Sequence, residues 1–241
     1  MEAAPRTEAQ QSAIDPAPDI ERVRLELQAS RDREMVLSNE LAHRVRNILA
    51  ITRALFIRTV DTADTLEHAA DHFRGRLDAL ARYHWRMASA PQAEFDLETM
   101  IFDELLTVTF ASDLRTSVVG PEVRLRQKTA EMMGLALHEL ATNSIKYGAL
   151  AEDEGIGRLR VSWTLEDSLL AFEWAETGIS IVTLAPMHSG FGREFIEQAL
   201  PFQLGAESSF NIVPGGLVVR ISLPLLANLM DEVVPVPKDI D

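Results

Sequence analysis

Residues 138–150 read His138-Glu139-Leu-Ala-Thr-Asn143-Ser-Ile-Lys146-Tyr147-Gly-Ala-Leu. If this stretch is helical, the spacing of four, three and one residues places Glu139, Asn143, Lys146 and Tyr147 on one face. That face offers a carboxylate, an amide oxygen, a cation and a phenol, a combination that suits a nucleoside triphosphate carrying Mg²⁺. An amphipathic helix with a solvated polar stripe gives the same pattern, so the motif alone does not decide between the two readings.

Length and composition restrict the protein class. The chain has 241 residues, of which 46% are hydrophobic, enough for one large core or two small ones. It has no cysteine, which excludes disulfides, thiolate metal ligands and cysteine nucleophiles. We expect a cytoplasmic protein, because no apolar run reaches the length of a membrane span and the amino terminus lacks the layout of a signal peptide. The net charge of −14 argues against a nucleic-acid partner.

The charge is unevenly distributed along the chain. Residues 21–90 hold twelve arginines against ten acidic residues, whereas residues 91–241 hold ten basic against twenty-three acidic residues. A mildly basic module is therefore followed by a strongly acidic one. The difference is explained either by drift under selection for solubility or by docking of the basic module on an acidic protein partner.

The amino-terminal part of the chain predicts a tail and two helices. Residues 1–20 are rich in Ala, Pro and Gln without apolar periodicity, which indicates a disordered tail. Within residues 21–90, apolar residues recur at helical spacing from Leu37 to Phe56 and again from Leu66 to Met87, with Asp64 as the N-cap of the second helix. Such an antiparallel hairpin leaves apolar stripes exposed. It therefore predicts a homodimer through a four-helix bundle, or a hairpin packed on another domain.

The remaining sequence predicts a second domain over residues 91–226, after a hinge around Pro91. Its helices are expected near 96–109, 129–150 and 193–199, and its strands near 117–125, 158–165, 170–174, 208–213 and 217–223. The fold class is therefore α+β, a helical hairpin followed by an α/β sandwich. Residues 227–241 are acidic with two prolines and are expected to be a flexible tail.

Several motifs occur in an order that resembles a known family. They are Glu40-Leu-Ala-His43-Arg-Val-Arg-Asn47, the segment 73–84, the segment 138–150, Trp174-Ala-Glu176 and Ser189-Gly190-Phe191-Gly192. Their order is similar to that of the HWE class of bacterial sensor histidine kinases, whose ATP-binding domain belongs to the GHKL (Bergerat) superfamily. The resemblance covers residues 39–225 and implies that the sandwich is of the Bergerat type.

The first motif resembles the phosphoacceptor box of that family. Histidine suits this task because a neutral imidazole has a ring nitrogen with a free lone pair, so His43 could attack a γ-phosphorus. Glu40 and Asn47 lie three residues before and four residues after it, on the same helix face. Glu40 is expected to orient the imidazole or take its proton, and the resemblance implies that Asn47 positions a water for dephosphorylation.

The segment 73–84 resembles the second hairpin helix of the family. It is read equally well as a core stripe with exposed arginines, and neither Arg76 nor His84 receives a chemical role from the sequence.

For the ATP-binding domain, the resemblance implies that Asn143 ligates Mg²⁺ while Lys146 and Tyr147 approach the phosphates. Glu139 would act on the metal's water or on the attacking group. His138 receives no role, and a packed, hydrogen-bonded histidine is an equal alternative.

The later motifs complete the implied ATP site. Trp174 and Glu176, two apart on a strand, would face the nucleotide cavity, with Glu176 accepting the adenine amine. Gly178 would allow close approach of the base. Gly190, Phe191 and Gly192 would close a lid over the phosphates.

Two departures from the family pattern stand out. The chain reads Thr177-Gly178-Ile-Ser-Ile-Val where the family has two glycines and prolines, which puts lid order and nucleotide affinity in doubt. No sensory domain precedes the hairpin, so the input comes either from a separate sensor protein or from a part absent from this sequence.

The sequence thus predicts a protein-histidine kinase. It would autophosphorylate His43 from ATP with Mg²⁺ and pass the phosphoryl group to an aspartate of a response-regulator receiver domain. One alternative is an ATP-independent phosphotransfer or scaffold protein that uses His43 alone. Another is a GHKL protein that phosphorylates serine or switches partners.

Overall fold

The computed structural model describes residues 17–63, 65–89, 95–108, 115–151, 156–179 and 190–230. The chain divides into two compact units, Met1–Ala54 and Leu55–Asp241, with the boundary inside the first helix. The second hairpin helix therefore belongs to the same unit as the sheet. This division differs from the predicted boundary near residue 90, because that helix packs along a helix of the sheet domain.

The described part of the first unit is helical. Helix α1 (Ala17–Thr62) begins within the predicted disordered tail and runs beyond the unit boundary. Apolar side chains of the predicted stripe are exposed along it, namely Leu37, Leu41, Val45 and Leu49. A large apolar surface normally becomes buried against a partner, so the homodimer stays a prediction on this evidence.

The second unit combines helices with a mixed sheet. Its elements after α1 are α2 (Leu66–Ser89), β1 (Phe95–Asp96), α3 (Leu97–Val108), β2 (Thr116–Val119), β3 (Arg124–Leu125), α4 (Gln127–Tyr147), β4 (Arg158–Glu166), β5 (Leu169–Thr177), α5 (Phe191–Glu194), a π-helical turn (Phe195–Ala199), α6 (Leu200–Leu204), β6 (Glu207–Val213), β7 (Gly216–Pro224) and α7 (Leu225–Asn228). The α+β class with a helical amino-terminal region is thereby confirmed. Asp64, the predicted N-cap of α2, and residues 90–94 around the predicted hinge lie outside the described residues.

The five-stranded sheet has the order β2-β4-β5-β7-β6, with β2 parallel to β4 and the other pairs antiparallel. Alternate residues of β4 and β5 are buried on one face, as the alternating pattern predicts. In register, Val161 pairs with Trp174 and Trp163 with Phe172. Helix α4 is buried along most of its length, and it carries the motif with which the sequence analysis began.

The folded domain continues past the predicted boundary at residue 226. In α7 the side chain of Asn228 is buried, accepts a hydrogen bond from the Thr129 hydroxyl at 3.0 Å and donates to the Leu204 carbonyl at 3.1 Å. Leu229 forms a bridge with Leu125. The acidic composition of the carboxy terminus hid these contacts, and residues 231–241 lie outside the described part.

Helices α2 and α4 pack antiparallel. His72 contacts Lys146 at one end of the pair, and His84 lies near Glu131 at the other. Arg76, between these ends, is 4% exposed. The reading of the segment 73–84 as a core stripe with exposed arginines is therefore wrong for Arg76, whereas Arg74 is exposed. The predicted apolar stripe is correct at Leu80, which is buried, but Leu66 and Leu77 are exposed, whereas Ala79 and Tyr83 are buried.

Within the described residues, no helix combines the length and the apolar character that crossing a membrane requires.

Close packing of α2 on α4 makes Gly134 sensitive to substitution. A Cβ at this position would overlap the ring of Tyr83, which is buried and donates to Glu104 at 3.2 Å. Alanine in an uncrowded helix stabilises by about 1 kcal/mol relative to glycine. Here we expect Gly134→Ala instead to lower the free energy of unfolding by about 1–3 kcal/mol, measured by urea denaturation. Unchanged or increased stability of this variant would show that α2 does not pack here.

Candidate functional site

The candidate phosphoacceptor residues lie on α1 in the first unit. His43 and Asn47 are exposed, and the Asn47 amide nitrogen lies 3.4 Å from Nδ1 of His43. Glu40 precedes them by one turn and is also exposed. His43 therefore presents a solvent-exposed imidazole with one ring nitrogen next to an amide.

In the second unit, Glu139 of α4 is buried and paired with an arginine from α2. Its side chain is 6% exposed, and its two oxygens accept from Nε and Nη2 of Arg76 at 2.7 and 3.0 Å. Arg76 also donates to the Thr59 hydroxyl at 2.6 Å, and its guanidinium lies 4.0 Å from the ring centroid of Phe191. A bidentate, charge-assisted pair of this kind is among the stronger side-chain interactions.

The other motif residues of α4 are more accessible. Asn143 is half-buried, and Lys146 and Tyr147 are exposed. The Lys146 ammonium lies 3.1 Å from Nε2 of His72 on α2. Burial, followed by the charges of Lys146 and Arg76, lowers the pKa of His72. A neutral His72 can accept a hydrogen bond from Lys146.

The structure brings the glycine segment against Glu139. Gly190 precedes α5, and Phe191 is buried between the Arg76 guanidinium and the ring of Phe195. A Cβ on Gly192 would come within 3.0 Å of Oε2 of Glu139. Glycine at 192 therefore permits this approach. Ser189 lies outside the described residues.

Trp174 and Glu176 of β5 are buried, and Glu176 connects β5 by hydrogen bonds to the end of α4. Glu176 is 1% exposed, and its oxygens accept from Nε1 of Trp174 at 2.8 Å and from the Ala149 amide at 2.7 Å. A Cβ on Gly148 would overlap its Oε2. Burial raises the pKa of Glu176, although the hydrogen bonds from Trp174 and Ala149 oppose that rise. The carboxylate thus anchors the segment that follows Lys146 and Tyr147.

Gly178 ends β5 with a φ of +74°, in the left-handed region that favours glycine. A Cβ there would lie 2.7 Å from the Ile156 carbonyl oxygen. The glycine lets the end of β5 pass close to the chain that leads into β4. The predicted lid between Thr177 and Gly192 otherwise falls mostly on residues 180–189, outside the described residues.

A polar network around Glu104 accounts for His138, which has no role assigned from the motif alone. Nδ1 of His138 lies 3.2 Å from one oxygen of the buried Glu104, and the other oxygen accepts from Arg82 at 2.5 Å and from Tyr83. Burial alone would raise the pKa of Glu104, but the hydrogen bonds from His138 and Arg82 outweigh it and lower the pKa. His138 is therefore the packed, hydrogen-bonded histidine that was one of the two alternatives.

Sequence reasoning missed Arg76. A signal was present, because Phe73, Leu77 and Leu80 lie three before, one after and four after it. A charge at the centre of an apolar face is usually paired once buried. The sequence did not reveal which carboxylate pairs with it, since Glu139 lies 63 positions away.

We predict that the indole N–H of Trp174 stabilises the fold through Glu176. Trp174→Phe keeps most of the apolar volume but leaves Oε1 of a buried carboxyl group without its donor. We expect the free energy of unfolding to fall by about 1–3 kcal/mol. Trp163→Phe on β4 is the matched control, because this indole donates to the neutral Pro121 carbonyl at 2.7 Å, and it should cost less. Equal losses of unfolding free energy for the two variants in urea denaturation would contradict a special stabilising role of the hydrogen bond from Trp174 to Glu176.

Comparison with known sequences identifies relatives. Residues 40–122 match the family model for the HWE histidine kinase. Blue-light-activated histidine kinase 1 of Erythrobacter litoralis is 34% identical over 199 residues, covering 78% of this chain and 53% of the relative. A blue-light-activated histidine kinase of Brucella anthropi is 29% identical over 210 residues, covering 85% of this chain and 42% of the relative. The chain thus spans about half the length of these relatives.

Among solved structures, the histidine kinase domain of an Erythrobacter litoralis blue-light-activated histidine kinase is similar, with a TM-score of 0.52 and 17% identity. The match covers 73% of this chain and 95% of that domain. At this identity the structural similarity supports the fold alone. Residues 40–122 of the chain match the HWE histidine kinase family, and the sequence relatives are named histidine kinases.

Proposed function

We propose that this chain is a protein-histidine kinase that transfers the γ-phosphoryl group of ATP to His43 and then to an aspartate of a response-regulator receiver domain. The observation that carries the proposal is the approach of the glycine segment to the motif helix, where Gly192 lies against Glu139. A segment that covers the phosphates has to lie beside the helix that contacts them. The match to the HWE histidine kinase family model and the exposed His43 support the same function.

The proposed nucleotide site uses residues of α4, β5 and the glycine segment. The amide oxygen of Asn143 is a hard oxygen donor of the kind Mg²⁺ accepts, and it is half-buried on the face that carries Lys146. Mg²⁺ takes few protein ligands beside phosphates and waters, so one amide with a nearby acid fits it. When bound, the ion would neutralise phosphate charge. Lys146 and Tyr147 would contact the phosphates from the exposed end of α4.

The base would lie near the end of β5. Gly178 admits a close backbone approach there, and Trp174 holds Glu176 in place. Glu176 has protein donors on both oxygens, so it would accept the adenine amine with a remaining lone pair. Gly190, Phe191 and Gly192 would cover the phosphates.

The transfer itself needs position more than covalent chemistry from the protein. A neutral nitrogen of His43 would form the N–P bond while the bond from the γ-phosphorus to the bridging oxygen breaks and ADP leaves. Glu40 would take the imidazole proton or orient the ring, and Glu139 would act on the attacking group or on a metal-bound water. Asn47, beside Nδ1 of His43, would position water for the reverse, dephosphorylating reaction.

The proposed partners follow from this chemistry. A receiver domain supplies the aspartate that accepts the phosphoryl group, and a separate sensor protein would supply an input. The exposed apolar side chains of α1 support pairing of two copies through this helix. We expect the reaction in the cytoplasm, where ATP is available.

The kinase proposal predicts an acid-labile label on His43. After incubation of the purified full chain with γ-labelled ATP and MgCl₂, the label should be lost in acid, absent in His43→Ala and strongly reduced in Asn143→Ala, because the latter loses the amide oxygen at the metal. His68→Ala, which removes another exposed histidine, is the matched control and should be labelled normally.

Two results would contradict the kinase proposal. Acid-stable label that persists in His43→Ala would favour phosphorylation of serine. Absence of label from ATP, combined with acceptance of a phosphoryl group from a phosphorylated receiver, would favour the ATP-independent phosphotransfer protein.

A further inference from the structure

Helix α2 contacts the same face of α4 that the proposed function assigns to the nucleotide. Two of the motif residues on that face, Glu139 and Lys146, have partners on α2, and these partners, Arg76 and His72, are one turn apart. The contacts lie within one compact unit of the chain. The hairpin helix and the phosphates of a bound nucleotide would therefore use the same side chains.

Arg76 makes the strongest of these contacts. Its guanidinium is enclosed by Thr59 of α1, Glu139 of α4 and Phe191 of the glycine segment, and both oxygens of Glu139 are engaged. A carboxylate held in two parallel hydrogen bonds cannot turn toward a metal-bound water or an attacking imidazole without giving up at least one of them. Arg76 thus contacts both Glu139, the acidic residue of the proposed ATP site, and Phe191 of the glycine segment that would cover the phosphates.

The contact between His72 and Lys146 also occupies a side chain that the proposed function assigns to the nucleotide. The ammonium of Lys146 points to an imidazole nitrogen at 3.1 Å, whereas the proposed function needs it on a phosphate. Because Lys146 is exposed, this contact is the weaker of the two. It nevertheless shows that α2 contacts the phosphate side of α4 at two positions of the motif, Glu139 and Lys146, which are about two turns apart.

We propose that Arg76 is a positioning residue that acts through Glu139: while paired with it, Arg76 holds the nucleotide site closed under α2, and binding of ATP with magnesium competes with this docking of the hairpin helix. The inference rests on the proposed function, since it assigns a regulation to the same site. Because coupling between two binding events is reciprocal, ATP would loosen α2, and anything that moves α2 away would strengthen ATP binding.

The test measures the affinity of the full chain for a fluorescent ATP analogue in MgCl₂. Arg76→Gln removes the cation and should tighten binding by about fivefold or more, the lower end of typical coupling between sites. Arg76→Lys keeps the charge but loses the bidentate geometry, so it should tighten binding less than Arg76→Gln does. Arg74→Gln is the matched control, because Arg74 lies on the same helix, is exposed and pairs only locally with Asp71 among the contacts described here.

A second variant separates the effect of α2 docking on nucleotide affinity from the effect of the Arg76 charge. Gly134→Ala presses on Tyr83 of α2 and changes no charge, so it should tighten nucleotide binding in the same direction as Arg76→Gln. Hydrogen–deuterium exchange gives the reciprocal readout: a non-hydrolysable ATP analogue with MgCl₂ should speed exchange of the α2 amides in the wild-type chain. A merely structural role of Arg76 would lower the melting temperature without tightening the affinity.

The outcomes separate this inference from the kinase proposal. Tighter nucleotide binding in Arg76→Gln and Gly134→Ala without any label on His43 would support the inference and contradict the kinase. Normal labelling of His43 with unchanged or weaker nucleotide affinity in both variants would overturn the inference and leave the kinase standing. Absence of nucleotide binding in every form of the chain would overturn both.

Discussion

The ion pair between Arg76 and Glu139 connects the parts of this molecule on which its proposed chemistry depends. Burying two charges carries a desolvation cost of several kcal/mol per ion that only good geometry and further hydrogen bonds offset. Here the pair is bidentate, Thr59 takes another guanidinium proton and Phe191 lies against the guanidinium face. Loss of one partner leaves an uncompensated buried charge. The position of α2 therefore determines whether the charge of Glu139 is compensated by Arg76.

Two buried carboxylates hold α4 in different ways. Glu139, near the middle of the helix, is compensated by a cation from another helix, whereas Glu176 receives neutral donors from an indole and a backbone amide at the helix end. The first arrangement joins α4 to helix α2, and the second joins it to the sheet. Asn143, Lys146 and Tyr147 lie between these two anchors. Helix α4 is therefore held to the sheet at its carboxy-terminal end and paired with α2 near its middle.

Features of the fold that depend on short-range sequence patterns were predicted correctly from the sequence. Alternation in β4 and β5 predicted the buried faces correctly, and the α+β class with its helical amino-terminal region was right. Features that depend on distant pairing were not predictable. Arg76 could not be matched to Glu139, Asn228 could not be recognised as buried beside Thr129, and His138 could not be placed on Glu104. In each case a polar residue is satisfied by a partner that only the tertiary structure brings near, and periodicity carries no information on such partners.

A crystal structure of the full chain with Mg²⁺ and a non-hydrolysable ATP analogue tests most directly whether α2 and the nucleotide use one face of α4. The prediction is a nucleotide in contact with Asn143 and Lys146, with the guanidinium of Arg76 withdrawn from Glu139. A nucleotide bound while both hydrogen bonds between Arg76 and Glu139 persist, or bound away from α4, would contradict it.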